Sequence, residues 1–186
     1  YSTWRSDIRN LAKPYMEILM RKTEETVCLV CPRGLERVTI EVMPSGHELA
    51  VVPAIGSAVP IYTGATGRVI MAHLQEVECA RIIKQTNLHP LTSTAISEPS
   101  LYMKELEKVR QMGYAQTTGE VTVHSRAIAA PVFNSAGEII AAISLRGPET
   151  RLTTQRGAEL APAVVQTAER ISEELGYGVN KTAAAG

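Results

Sequence analysis

The stretch SRAIAAPVFNSAGEIIAAISLRGPETR, residues 125–151, decides the fold of this chain. It predicts two apolar β-strands joined by a turn that contains Gly137. Small side chains occupy strand positions that bulky residues normally fill. They are Ala127, Ala129, Ala130, Ala141, Ala142 and Ser144. A sheet face lined by such residues leaves room either for a closely packed helix or for a small ligand.

The hydrophobic pattern of the other segments predicts groups of strands separated by helices. Helices are expected at 5–22, 63–74, 75–85, 99–112 and 154–175, and strands at 26–32, 36–43, 49–53 and 114–117. Alternation places Val38, Ile40 and Val42 on one face of the second strand. Because strands occur in antiparallel-looking groups, the pattern favours one α+β domain over a doubly wound parallel sheet. The domain is assigned to residues 1–178, and a disordered tail is expected at 179–186.

The composition disfavours several classes of function. Among 186 residues, 19 are basic and 19 are acidic, so the formal net charge is zero. A surface that binds nucleic acid directly needs clustered basic groups, and the sequence contains no such run. No apolar run is long enough to cross a membrane. Three scattered cysteines indicate a reduced, cytoplasmic protein.

Motifs for catalysis and metal binding are weak. Cys28 and Cys31 form a CxxC, but residues three apart on a strand point to opposite faces, so these thiols are not expected to share a metal. The four histidines show no local ligand spacing. The sequence also lacks a nucleophile elbow, a phosphate-binding loop and a dinucleotide-binding motif. It therefore predicts no catalytic residues, no metal and no cofactor.

Two features indicate a site for an anion. The sequence TGATG at 63–67 begins a predicted helix, whose N–H groups suit any anion; the alternative is a helix start packed tightly on the sheet. Arg146 lies two residues from Ser144 on a strand, so both side chains project from the same face. If that face is buried, Arg146 needs an anionic partner, either a carboxylate such as Glu120 or that of a ligand. An exposed Arg146 near the strand end is the third possibility.

Four ordered segments carry a family resemblance. They are VPIYTGATGRVIMA (59–72), KVRQMGYAQTTGE (108–120), IAAPVFNSAGEIIAAISLRGPETR (128–151) and AERISEELG (168–176). Together they resemble the effector-binding domain of the IclR family of bacterial transcriptional regulators. The resemblance implies a GAF-like fold, in which helices flank a curved antiparallel sheet with a small-molecule pocket on one face. It also implies dimers or tetramers, and DNA binding only through an N-terminal winged helix-turn-helix domain absent from this chain.

The resemblance also places effector-binding residues on this sequence. Backbone N–H groups of Ala65 and Thr66 would receive an effector carboxylate. The family's acidic position is Thr117 here, and a position that is often Cys is Ala127. The remaining positions fall on Ser125 and Ser144 as polar wall, Arg146 where a second polar residue is common, and Leu49 and Val51 as apolar wall.

These departures favour an anionic effector. Replacing an acid by Thr117 and gaining Arg146 makes the pocket more positive, and an arginine fork matches a carboxylate. Ala127 is expected to enlarge the pocket, so the predicted effector is an organic acid, of an aromatic or larger kind. On this interpretation the small residues of 125–151 form the pocket floor. The alternatives are a GAF-type sensor of another pathway and a small hydrolase that uses Ser144 or His124.

Overall fold

The computed structural model describes residues 3–178, so the predicted tail at 179–186 lies outside the described residues. Within that range five helices and six strands alternate in groups. The helices are α1 (Thr3–Thr23), α2 (Gly64–His73), α3 (Glu76–Thr86), α4 (Pro99–Met112) and α5 (Thr154–Glu174). The strands are β1 (Thr26–Arg33), β2 (Glu36–Met43), β3 (Ala58–Pro60), β4 (Ala115–Thr118), β5 (Ser125–Phe133) and β6 (Ile139–Pro148).

The strands form a single antiparallel sheet in the order β3-β2-β1-β6-β5-β4, curled into a half-barrel. Strands β1 to β3 form one meander, and strands β4 to β6 form another. The two meanders join where β1 pairs with β6. The stretch 125–151 supplies β5 and β6 at the centre of this arrangement. The predicted α+β class, a GAF-like curved sheet flanked by helices, is confirmed.

Helices cover both faces of the sheet and create two cores. Helices α1 and α5 pack on one face, over side chains such as Leu29, Ile128 and Ile143. Helices α2, α3 and α4 pack on the other, over Ala129 and Ala142. These two alanines lie in the apolar core beneath the helices, and the small side chains allow that close approach. The small residues of 125–151 therefore serve helix packing more than a pocket floor, contrary to expectation.

The predicted strand at 49–53 is wrong. Residues 50–54 are irregular, and Leu49 and Val52 are exposed. The third strand is β3 instead, which pairs with Glu36, Arg37 and Val38 of β2. Since β1 occupies one edge of β2 and β3 occupies the other, no pairing edge remains for 49–53 at that end of β2.

A β-bulge changes which face of β2 is buried. Leu29 lies opposite Glu41, but the next residue, Val30, lies opposite Thr39, so Ile40 is the extra residue. The register places Val38 on the α1/α5 face and Val42 on the other, so the predicted single face for 38, 40 and 42 is wrong. Arg37 alternates with Val38 and so faces the start of helix α2, where it contacts Thr63.

Substitution of Gly67 tests how closely α2 packs against the turn that precedes it. An alanine Cβ at this position would lie 2.6 Å from the carbonyl oxygen of Ile61. Glycine to alanine inside a helix ordinarily adds up to about 1 kcal/mol of stability. Gly67→Ala is expected to remove about 1–3 kcal/mol instead, because backbone atoms cannot yield. Urea unfolding measures the difference.

Gly46→Ala is the matched control for this substitution. A Cβ there meets no heavy atom of the described chain within 4 Å, and the backbone is not left-handed. Its stability is expected to change by less than about 0.5 kcal/mol. Equal stability of the Gly67→Ala and Gly46→Ala variants would show that α2 is not held by this contact.

Candidate functional site

A small cavity lies between the start of α2, the sheet and the segment 119–125. Its walls come from β2, α2, β4, β5 and β6. The volume is about 20 Å³, which is room for about one water molecule. Six of the predicted effector residues line it: Ala65, Thr66, Thr117, Ser125, Ala127 and Arg146. The sheet thus brings together residues that are up to 81 positions apart in the sequence (146 − 65).

Helix α2 presents its N-terminus to this cavity. Thr63 precedes the helix, but its hydroxyl donates to Pro60 O at 2.7 Å and does not cap the first turn. The N–H groups of Ala65 and Thr66 have no acceptor within their own helix, as in any first turn. Gly64 has φ 67°, and a Cβ there would approach Val121 Cγ2 to 2.8 Å. The glycine therefore permits both the backbone conformation and the closeness of segment 119–125.

The Thr66 side chain places an unpaired hydroxyl at the cavity. Thr66 is 1% exposed and lines the cavity. Its Oγ1 is buried and makes no hydrogen bond to any described residue. Buried hydroxyls are normally paired, because desolvation without a partner costs about 1–3 kcal/mol. A ligand oxygen in the cavity would satisfy this hydroxyl.

Arg37 reaches the same cavity from β2 and was not among the predicted site residues. It is 2% exposed, and its Nε donates to Thr63 O at 3.1 Å, beside the start of α2. No carboxylate within residues 3–178 forms an ion pair with it. Burial, followed by the nearby Arg146 guanidinium, lowers the pKa of Arg37 to about 9. It therefore carries its charge at neutral pH without a protein counter-ion in the described chain.

Arg146 enters from β6, as expected from its register with Ser144. Its Nε donates to Ser144 Oγ at 3.0 Å, and the side chain is half-buried. The alternative of an ion pair with Glu120 is wrong, because Glu120 binds Arg68 at 2.6 Å. In the part of the chain that the structure describes, Arg146 has no ion pair. Arg126 also lines the cavity, but its Nε donates to Leu152 O at 2.7 Å, so we call only Arg37 and Arg146 the cavity arginines.

The buried glutamates of the domain form ion pairs with other basic side chains. Arg151 holds Glu25 through two hydrogen bonds of 2.6 and 2.8 Å. Glu41 binds Arg9 and Lys13 on α1. Glu120 lines the cavity, yet its charge is matched by Arg68, and burial still raises the pKa of Glu120 above its ordinary value. The cavity consequently carries a net positive charge at neutral pH.

Three predicted effector residues do not line the cavity. Ser144 is fully buried beneath Arg146 and acts on the site only through that hydrogen bond. Leu49 is 66% exposed, and its carbonyl accepts from Arg151 instead. Val51 is half-buried in the irregular segment that replaces the predicted strand. The structure does not place these two apolar side chains at the pocket wall.

The enlargement of the pocket by Ala127 stays a prediction, and the cavity beside this residue is small. This residue lies opposite Thr117 on β4 and opposite Arg146 on β6. The cavity beside it has the water-sized volume given above, because segment 119–125 closes over it. Thr92 and Thr94 hold that segment by donating to Gly119 O at 2.6 and 2.9 Å. Any organic acid would have to displace this segment to enter.

The cysteines and histidines form no site. Cys28 and Cys31 point to opposite faces of β1, as predicted, with Cys31 in the core beneath α1 and α5. Burial raises the pKa of Cys31 to about 12, which keeps the thiol neutral. Residues 3–178 contain no cluster of three potential metal ligands. Of the helices described, none has the length and apolar character needed to span a bilayer.

Known proteins share this architecture. The family model for the C-terminal domain of the bacterial transcriptional regulator IclR matches residues 2–173. The chain is 36% identical over 173 residues to the HTH-type transcriptional regulator KipR of Bacillus subtilis, covering 93% of this chain and 69% of that protein. It is 32% identical over 170 residues to the HTH-type transcriptional repressor AllR of Escherichia coli, covering 91% of this chain and 63% of AllR.

Solved structures agree with these sequence matches. The crystal structure of the Thermotoga maritima IclR superposes with a TM-score of 0.87 at 31% identity, covering 91% of this chain and 69% of that one. The C-terminal domain of Escherichia coli KdgR gives a TM-score of 0.81 at 29% identity, with 92% and 99% covered. The fold is that of a regulator's C-terminal domain. The chain belongs to the IclR family of bacterial transcriptional regulators.

The Thr66 hydroxyl gives a test that needs no ligand. Thr66→Val keeps the side-chain shape and removes the buried Oγ1. We expect the variant to be more stable than the wild type by about 1 kcal/mol, since a desolvated polar atom is lost without losing a hydrogen bond. Thermal and urea unfolding would measure this gain.

Thr23→Val serves as the opposite case. Thr23 is equally buried, but its Oγ1 donates to Leu19 O at 2.8 Å. Removing this bonded hydroxyl is expected to cost about 1 kcal/mol. If Thr66→Val destabilised the domain as much as Thr23→Val does, the Thr66 hydroxyl would have a partner in the folded protein.

Proposed function

We propose that this domain binds a small organic acid and thereby controls the DNA binding of the regulator to which it belongs. The observation that carries the proposal is the meeting of the cavity arginines, the Thr66 hydroxyl and the N-terminus of α2 in one buried cavity. Each of these groups favours an oxygen anion. Membership of the family supports a sensing role, because its members typically bind small-molecule effectors.

A carboxylate fits the chemistry of this wall. One oxygen would accept from the N–H groups of Ala65 and Thr66 and from the Thr66 hydroxyl. The Arg146 guanidinium would supply a charge-assisted fork. Thr117, in the position where the resemblance expects an acid, removes a negative charge that would repel such a ligand.

Entry of the acid requires segment 119–125 to move. Gly119 begins that segment and His124 lies near its end. Both adopt left-handed backbone conformations, with φ 67° and 62°. Thr122, Val123 and His124 are exposed. These three residues form a tip with few buried contacts, whereas Thr92, Thr94 and Arg68 hold the start of the segment. Its displacement would let the cavity take the aromatic or larger acid that the sequence predicts at Ala127.

The acid would act by binding one quaternary arrangement more tightly than another, since only a difference in affinity can shift such an equilibrium. We propose that the domain forms a dimer or tetramer in the cytoplasm. DNA contact would be made by a separate part of the regulator. The hydrolase alternative is disfavoured because Ser144 bonds a guanidinium, while His124 bonds Glu149 at 3.0 Å, so nucleophile and base are not paired.

Paired ligands test the requirement for negative charge. Isothermal titration of the purified domain with benzoate and methyl benzoate, and with propionate and methyl propionate, compares each acid with its ester. We expect at least one acid to bind tenfold or more tightly than its ester, because a hydrogen bond to a charged group contributes about 1.5–3 kcal/mol. Equal affinities for a bound acid and its ester would contradict the proposal.

Arg146→Gln tests where the acid binds. The variant keeps the side-chain length for the contact with Ser144 but lacks the charge. Carboxylate affinity is expected to fall about tenfold or more, which corresponds to about 1.4 kcal/mol. Arg33→Gln is the control, because Arg33 pairs with exposed Glu36 away from the cavity. Unchanged affinity in Arg146→Gln would place the carboxylate elsewhere.

A further inference from the structure

We infer that the cavity is built for a dicarboxylate, with one carboxylate at Arg37 and the second at Arg146. This inference rests on the proposed function and specifies its ligand. Arg37 is not among the effector-binding residues that the family resemblance assigns. Its burial beside the start of α2 gives that end of the cavity a cation of its own.

The charge balance favours two negative groups. Arg37 is 2% exposed, and the described acids near the cavity are already paired, with Glu120 bound to Arg68. A monocarboxylate bound at Arg146 alone would leave the buried Arg37 without a counter-ion among the described residues. A buried charge without a partner is strongly unfavourable, so a ligand that compensates both guanidinium groups gains more from binding.

The cavity arginines define two separate points of attachment. Arg37 lies opposite Pro32 of β1, and Arg146 lies opposite Thr26 of the same strand. The two backbone anchors are thus six residues apart along β1 (32 − 26), or about 20 Å at the usual rise per strand residue. Both residues line the same cavity on the α2 face, and the spacing of their backbone anchors indicates that they reach it from different directions.

Each end has its own hydrogen-bonding partners. At one end, Arg37 bonds Thr63 O beside the first turn of α2, whose residues line the cavity and whose N–H groups lack helical acceptors. At the other end, Arg146 is held by Ser144. Two cationic ends suit two carboxylates joined by a short carbon chain. A single phosphate would need both guanidinium groups around one central atom, which this placement does not favour.

Matched diacids and half-esters test the inference. The purified domain would be titrated calorimetrically with straight-chain dicarboxylates of three to six carbons, each against its own monomethyl ester, at fixed ionic strength. For at least one chain length, the wild type is expected to bind the diacid tenfold or more tightly than the half-ester. Inorganic phosphate is the third ligand and is expected to bind at least tenfold more weakly than that diacid.

Variants of Arg37 assign the second carboxylate. Arg37→Gln is expected to reduce the preference for the diacid over its half-ester to less than threefold. Arg37→Lys keeps the charge and is expected to retain most of the preference. Should Arg37→Gln fail to fold, the preference of the wild type and of Arg37→Lys for the diacid over its half-ester still tests the inference. Arg33→Gln again controls for a general effect of removing a positive charge.

Different results would contradict the dicarboxylate inference and the proposed carboxylate binding. Equal binding of diacids and half-esters by the wild type would overturn the dicarboxylate inference and leave the carboxylate sensor standing. Phosphate binding as tight as the best diacid would overturn the two-point arrangement. A diacid preference that persists fully in Arg37→Gln would also overturn it. No binding of any carboxylate would overturn the proposed function itself.

Discussion

The pairing of buried charges constrains the functional side of this domain. Glu25, Glu41 and Glu120 each have a cationic partner, and these pairs join elements that are distant in sequence. Such pairs cost desolvation energy and contribute less to net stability than their short distances suggest. Their main effect on the site is that these glutamates do not pair with the cavity arginines. The cavity arginines are then left for a ligand at the point where the sheet faces the start of α2.

The fold places that point by close packing. Ala129 and Ala142 let the helices on their side approach the sheet, and Gly67 seats α2 against the turn at Ile61 and Tyr62. Buried Tyr102 of α4 reinforces this turn by donating to Tyr62 O at 2.7 Å. The N-terminus of α2 is therefore fixed relative to β6, as a preorganised anion site requires. In segment 119–125 the loop tip is exposed, while Gly119 and Glu120 are held by Thr92, Thr94 and Arg68.

The sequence predicted the architecture well because its signals were local. Apolar periodicity located the five helices, and two apolar runs joined by a turn at Gly137 identified β5 and β6. The third strand was misplaced because local apolar character at 49–53 says nothing about which edge of β2 is available. The single face predicted for Val38, Ile40 and Val42 was wrong for a related reason, because the bulge at Ile40 depends on pairing with β1. Arg37 was missed because the pattern of its strand does not show that it reaches Thr63, 26 positions away.

For the site, the family resemblance and strand periodicity predicted six cavity residues, including Arg146. They could not predict the cavity volume, which depends on how segment 119–125 closes, or the neutralisation of Glu120 by Arg68, 52 positions away. The most direct measurement is a crystal structure of the domain grown with a bound carboxylate. The account predicts ligand oxygens within hydrogen-bonding distance of Arg146 and of the Thr66 hydroxyl, with segment 119–125 displaced. A carboxylate bound elsewhere, with this cavity still closed, would contradict it.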